Sequence, residues 1–271
     1  MNLNDIETKI YLPNRRKLAG KKELKKCIDD ANLIPKLFRG PSIYFHHRAL
    51  LERVKLPIPE KEEGFLEKKH LEMIYAVLPS WGMHRMGGDA KVCSFEVFQE
   101  SIQNKSVRDI IMELKRIDDD LSRIKDVKRR NDATIDKINS NVVDKIVELI
   151  PKIEASESGT RLVSASKTLH HILPNIVPPI DRRYSLRFMK RNTNINRDEG
   201  TLAKIFIEGM IHFFNDKSWQ DSLKDVTLIE PKLPIGEIGA FNTSLPKIFD
   251  NLIVAYVRSH PAEFPIKQSV E

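Results

Sequence analysis

The segment from Gly159 to Met189, GTRLVSASKTLHHILPNIVPPIDRRYSLRFM, constrains the fold of this chain more than any other stretch. Leu162, Ala165, Leu169, Ile172 and Leu173 recur at helical spacing and define one apolar face. Pro174, Pro178 and Pro179 then force extended backbone, because proline fixes φ, lacks an N–H and pushes the preceding residue out of the helical region. Asp181 follows as the natural cap of a second helix bearing Tyr184, Leu186 and Phe188. A carboxylate there accepts backbone N–H groups and meets the positive end of the helix dipole. The expected plan is helix, proline-broken turn, helix.

The same spacing recurs along the chain. It predicts helices over Lys21–Ala31, Ser42–Val54, Gly64–Leu78 (ended or kinked by Pro79) and Ser94–Gln103. A longer helix is expected from Val107 to about Lys125, opened by a capping box at Ser106, with Ile110, Ile111, Leu114, Ile117, Leu121 and Ile124 on one face. Helices over Thr134–Ile150 and Asp198–Phe214 follow, and Ser244 caps a last one through Arg258 with Pro246 in its tolerated first turn. Gly209 is read as a point where another helix approaches. Residues 56–63 and 225–243, rich in proline or in proline and glycine, are connectors. The fold class is therefore all-α, a single bilobed multi-helix bundle. Residues 1–20 form a loosely attached basic arm, 21–259 the helical domain and 260–271 a C-terminal tail. With 271 residues, 41% hydrophobic and 31% charged, the chain can bury a sizeable core and is too apolar to be disordered throughout.

Composition narrows the function classes. The two cysteines, Cys27 and Cys93, lie far apart, which argues for a reducing compartment and against a disulfide scaffold, and no Cys/His cluster has zinc-site spacing. No apolar run reaches the roughly 20 residues that span a bilayer, and the polar start is no signal peptide, so a cytoplasmic location without a membrane partner is expected. Neither metal nor organic cofactor is expected. A net charge of +7 favours a polyanionic partner. Several tempting clusters have plainer explanations: His46/His47 and His170/His171 as packing or surface pairs, Asp118–Asp120 as a solvated helix face, and Lys125–Arg130 as a solvated turn.

A second unusual stretch, Ser80-Trp81-Gly82-Met83-His84-Arg85-Met86-Gly87-Gly88, puts three glycines beside a tryptophan, a histidine and an arginine. One reading is a cleft-lining loop, with Trp81 as a stacking surface and His84 and Arg85 as polar contacts. The other is a tryptophan-anchored helix junction, which weighs more because no phosphate-binding pattern is present.

Gly159, Ala165 and Ile180-Asp181, in that order and spacing, resemble the core of the helix-hairpin-helix DNA glycosylases. There a glycine-rich hairpin and an alanine-containing helix precede a hydrophobic residue and the catalytic aspartate. The resemblance covers about thirty residues. It implies a glycosylase-like helical scaffold, double-stranded DNA as partner, and Asp181 stabilising the cation-like sugar as a damaged base departs. Arg161 stands where the second hairpin glycine would fall, and Val163 stands where bifunctional members carry a lysine. Lys167, one turn later, is the candidate substitute, and water-using excision is expected over Schiff-base chemistry. Arg161, Lys167, Arg182, Arg183 and Arg187 would contact phosphates, and Trp81, Tyr184 or Phe188 would stack on a flipped base. The competing expectation is a non-enzymatic helical binding protein of unknown partner, with Asp181 only a cap and the arginines only exposed helix faces.

Overall fold

The computed structural model describes residues 66, 68–80, 92–190, 193–195, 198–215 and 244–264. The helices expected over 21–31 and 42–54, the histidines His46 and His47, Cys27, and the loop carrying Trp81, His84 and Arg85 lie outside them. The described residues form an all-α structure: α1 (Lys68–Ser80), α2 (Phe95–Gln103), α3 (Lys105–Arg123), α4 (Val127–Lys137), α5 (Ser140–Leu149), a 3-10 turn (Ile150–Lys152), α6 (Leu162–Ile172), α7 (Ser185–Lys190), α8 (Glu199–Asn215) and α9 (Leu245–Ser259). No described helix is long and apolar enough to cross a membrane.

Local capping explains most boundaries. Ser94, Asp126, Asn139 and Ser244 each accept a backbone N–H of the first turn that follows, satisfying donors that have no intrahelical partner. Three expectations are corrected by these caps. The long helix α3 starts two residues early because Asn104, not Ser106, holds its first turn. The single helix expected over 134–150 is two, broken at Ile138 where Asn139 starts a new cap. Most of the basic run Lys125–Arg130 is not a turn but the first turn of α4.

One continuous hydrophobic cluster runs from Leu66 to Phe264, with α8 packed on α5, α6 on α1, and α7 on α9. α8 comes close to α5 at Gly200, where a Cβ would stand 3.1 Å from Val147 Cγ1. Packing also reaches past the expected end of the domain. Phe264 is buried, its ring stacked on Phe188 and edge-on to Tyr256.

The aspartate run is the clearest departure. Asp120 is exposed and Asp119 pairs with Lys115, but Asp118 is 0% exposed, so the solvated face expected there is wrong for its first member. Its carboxyl accepts the backbone N–H of Asn175 at 2.7 Å and the Asn175 side-chain amide at 3.3 Å. His170 and His171 are both buried in the core, in line with the packing role.

Candidate functional site

The chain from Leu162 to Ile180 is buried without interruption, so α6 is an interior helix. It nonetheless carries Ser164, Ser166, Lys167, Thr168, His170 and His171. A polar group in such a place costs free energy unless it is hydrogen-bonded, and several of these bonds shape the site. Asp118 holds Asn175, His170 Nδ1 lies 2.7 Å from the carbonyl of Val177, and Ser166 Oγ accepts the N–H of Ile180 at 3.0 Å while donating to the carbonyl of Val163. These contacts fasten the proline-rich return segment against α3 and α6 and deliver Asp181 beside the middle of α6.

At the start of α6 no side chain of its own provides a cap. Glu199 of α8 does so instead, its Oε2 accepting the N–H groups of Arg161 and Leu162, both at 2.7 Å. This carboxylate occupies the end of the helix where an anion is most stabilised. Glu199→Ala is expected to lower stability by about 1–2 kcal/mol in denaturant titration, and Glu199→Gln by less, because the amide still accepts. Equal stabilities of all three proteins would show that the contact contributes nothing.

Asp181 caps the turn that leads into α7. Its Oδ1 accepts N–H bonds from Arg183 (2.7 Å) and Tyr184 (3.0 Å), and its own N–H donates to Ser185 Oγ (2.9 Å). Helical hydrogen bonding proper begins at Ser185, four residues beyond the aspartate. The other oxygen, Oδ2, lies 3.4 Å from Lys167 Nζ. The two side chains are unequally covered, 5% exposed for Lys167 and 28% for Asp181. The amine is thus tucked behind a carboxylate that reaches solvent.

A second pair stands close to this one and was not visible in the sequence reading. Lys247 Nζ and Asp250 Oδ2, both on α9, are 2.6 Å apart. Burial pushes the Asp250 carboxyl above its ordinary value, Lys247 opposes that rise, and the charges of Asp181 and Lys167 also reach it. The two ion pairs, one between α6 and the Asp181 turn and one on α9, therefore feel each other's charge. A lysine and an acid three residues apart on a largely apolar helix, Leu245-Pro246-Lys247-Ile248-Phe249-Asp250, were the available signal.

The expected phosphate contacts divide into two groups. Arg161 is committed to Glu154 (2.9 Å) and the carbonyl of Pro151, and Arg182 donates to Thr160 Oγ1 at 3.1 Å. Arg183 is exposed and lies over the Tyr184 ring, 5.7 Å from its centroid, while Arg187 is half-buried on α7. Arg258, from the far end of α9, also lies over that ring at 5.6 Å and donates from Nε to the tyrosine hydroxyl at 3.2 Å. Tyr184 thus already carries two guanidinium groups. Phe188 is taken up by Tyr256 and Phe264.

On the side of the Ser156–Gly159 turn the surface has the opposite character. A cleft of about 910 Å³ is lined by Cys93, Glu154, Glu157, Arg161, Asp198 and Glu199 among others, and neither Asp181 nor Lys167 belongs to it. Its lining carries four carboxylates, Glu154, Glu157, Asp198 and Glu199, and one guanidinium, Arg161, which pairs with Glu154. The Cys93 thiol donates to the carbonyl of Glu154, and burial raises its pKa to about 11, so it is a protonated, unreactive thiol at neutral pH.

Compared with known proteins, the chain matches no family model, no curated protein and no solved structure.

Proposed function

We propose that this chain binds double-stranded DNA and hydrolyses the glycosidic bond of a damaged base, with Asp181 as the stabilising carboxylate. The observation that carries the reading is the Lys167–Asp181 pair, 3.4 Å apart, with the carboxylate on the solvent side. In the reaction the C1′–N bond breaks and its electron pair leaves with the base. The sugar becomes an oxocarbenium ion opposite Asp181, whose negative charge lowers the barrier most where positive charge develops. Water then adds at C1′, and its proton ends on the departed base. Lys167 positions Asp181 from behind. An amine so covered has no path to C1′, so no covalent sugar–lysine intermediate forms.

The test is incubation of the full chain with duplexes containing uracil, an alkylated purine or an oxidised purine. The expected result is free base and an alkali-labile strand from at least one duplex, with nothing trapped by borohydride. A trapped adduct would transfer the lysine to the nucleophile's role. Absence of base release from every duplex, together with no duplex binding at low salt, would reject the reading.

One observation favours the competing, non-enzymatic reading. Both Asp181 oxygens already have intramolecular partners, Oδ1 two backbone N–H groups and Oδ2 an ammonium, and that is the pattern of a residue that only builds a turn. Duplex binding without base release would select it.

A further inference from the structure

We infer that the start of α4 is a phosphate-binding surface, where Lys125, Lys128, Arg129 and Arg130 hold the backbone of a DNA duplex. This rests on the DNA-binding reading above and gives it residues outside the Gly159–Met189 segment.

The arrangement is unfavourable for α4 taken alone. Three cations, Lys128, Arg129 and Arg130, occupy its first turn, which contains no acid. That end of a helix is its positive pole, so it repels cations and attracts anions. The one acid in the run, Asp126, is the cap: its Oδ1 accepts the N–H of Arg129 at 2.7 Å and its carbonyl accepts that of Arg130 at 2.9 Å. Asp120, at the end of α3, is engaged by Arg123 at 3.1 Å. Among the described residues no carboxylate forms an ion pair with Lys125, Lys128, Arg129 or Arg130.

Arg130 carries the argument furthest. It is half-buried, and its Nε is covered without a hydrogen-bond partner among the described residues. Burial pushes its guanidinium below the ordinary value, and no acid opposes the fall. An arginine stays charged at neutral pH all the same. A covered charge with no counter-charge is costly, and the chain keeps one here. The covering stops at Nε, so the forked end of the guanidinium remains open to a planar, bidentate acceptor such as phosphate.

The support beneath is firm. Asn131, Thr134 and Ile135 are buried on the inner face of α4, which packs on α3 and α8, while Lys128 and Arg129 are exposed. Thr134 Oγ1 donates to the carbonyl of Arg130 at 2.8 Å, which steadies the backbone at that residue. Lys125 follows Ser122 by three residues, at most about 11 Å of extended chain. The Ser122 hydroxyl accepts the side-chain amide of Asn175 at 2.9 Å, so the patch begins near the start of the return segment that leads to Asp181.

Charge density selects the occupant. Four cations in six residues, with one acid among them, call for closely repeated anions. Duplex DNA supplies one negative charge per about 1.7 Å of its axis, and its phosphates accept from both guanidinium and ammonium groups.

The experiment measures affinity of the full chain for a short fluorescent duplex across a salt series. The proteins are the parent, Lys128→Gln, Arg129→Gln, Arg130→Met, a fourfold variant that adds Lys125→Gln to these three, and a control, Lys152→Gln, whose ammonium pairs with Glu148. Each lost phosphate contact should flatten the plot of log affinity against log salt by about 0.9, and the fourfold variant should flatten it by about 3–4. Lys152→Gln should match the parent. Thermal unfolding adds a second readout. Arg130→Met keeps the apolar stem and drops a charge that the fold does not compensate, so it should melt at or above the parent while binding more weakly.

If the parent binds duplex and the folded fourfold variant keeps its slope, the patch is overturned while DNA binding stands. If the parent binds no duplex at low salt, the reading beneath it fails and the patch fails with it. An Arg130→Met protein that melts well below the parent with an unchanged slope would assign Arg130 to the fold and remove it from the surface. Binding of poly-glutamate in preference to duplex would overturn the inference as well, giving the patch to acidic proteins.

Discussion

Asp118→Ala should lower the free energy of unfolding by about 3–4 kcal/mol, since it removes a buried carboxyl and strands the amide it served. Asp118 is fully buried, and its Oδ1 is the acceptor for the backbone N–H of Asn175 at 2.7 Å. The Asn175 side chain adds bonds to Asp118 Oδ1 and O and to Ser122 Oγ. Alanine leaves the backbone N–H of Asn175 without its acceptor, in a place that water does not reach, while the side-chain amide keeps the backbone oxygen of residue 118 and Ser122 Oγ. Asp118→Asn keeps an acceptor of the same shape and should cost only about 1–2 kcal/mol. The consequence extends to function, because Asn175 is one of the anchors of the segment that delivers Asp181. Any excision activity of the alanine variant should fall as well, even at temperatures where it stays folded. Denaturant titration of the three proteins decides the matter: an alanine variant within about 0.5 kcal/mol of the parent would mean that the return segment is held by its apolar residues alone.

The second large effect is at Asp181. If the carboxylate stabilises the departing sugar, Asp181→Asn should slow base release by on the order of 100-fold or more while leaving duplex affinity nearly unchanged. Sequence reasoning alone would add that stability hardly changes, because asparagine is as good a cap as aspartate. The structure alters that expectation. Lys167 has 5% of its side chain exposed and would lose the negative charge of Asp181 beside it, at a cost of about 2–3 kcal/mol. Lys167→Met removes the buried amine, so the double variant should be more stable than Asp181→Asn alone, with a coupling of about 1–2 kcal/mol in the cycle. Excision at the parent rate by Asp181→Asn would take Asp181 out of the mechanism. Strict additivity in the stability cycle would dissolve the pair.

The two residues show how differently a capped turn and a buried contact were written in the chain. Asp181 could be found because its environment is local: prolines before it, a helix after it, and an N–H pattern set by the next three residues. Asp118 was misread because the three consecutive aspartates were judged only by how they splay around α3. The buried stripe of that helix, Val107, Ile111, Leu114, Asp118 and Leu121, steps by alternating four and three residues. Asp118 falls on the stripe. Following that repeat, instead of the residue type, would have placed it inside. Glu199 gave no such signal, because nothing in its own neighbourhood says that the helix it caps begins at Leu162.

By itself the sequence determined the all-helical class, most helix ends and the capping place of Asp181 at a turn, since spacing, caps and prolines act over four or five residues. Tertiary structure alone decided which polar groups meet: Asp118 with Asn175, 57 residues apart, Arg161 and Leu162 with Glu199, Lys167 with Asp181, and Arg258 with Tyr184. The physical reason is that a buried polar group must find a partner wherever the packed helices bring one, and that choice follows from how apolar faces stack. The location of positive and negative surface was decided in the same way. The arginines of the Asp181 turn are adjacent in sequence, yet packing turns Arg182 to Thr160 and lays Arg183 on Tyr184 beside Arg258.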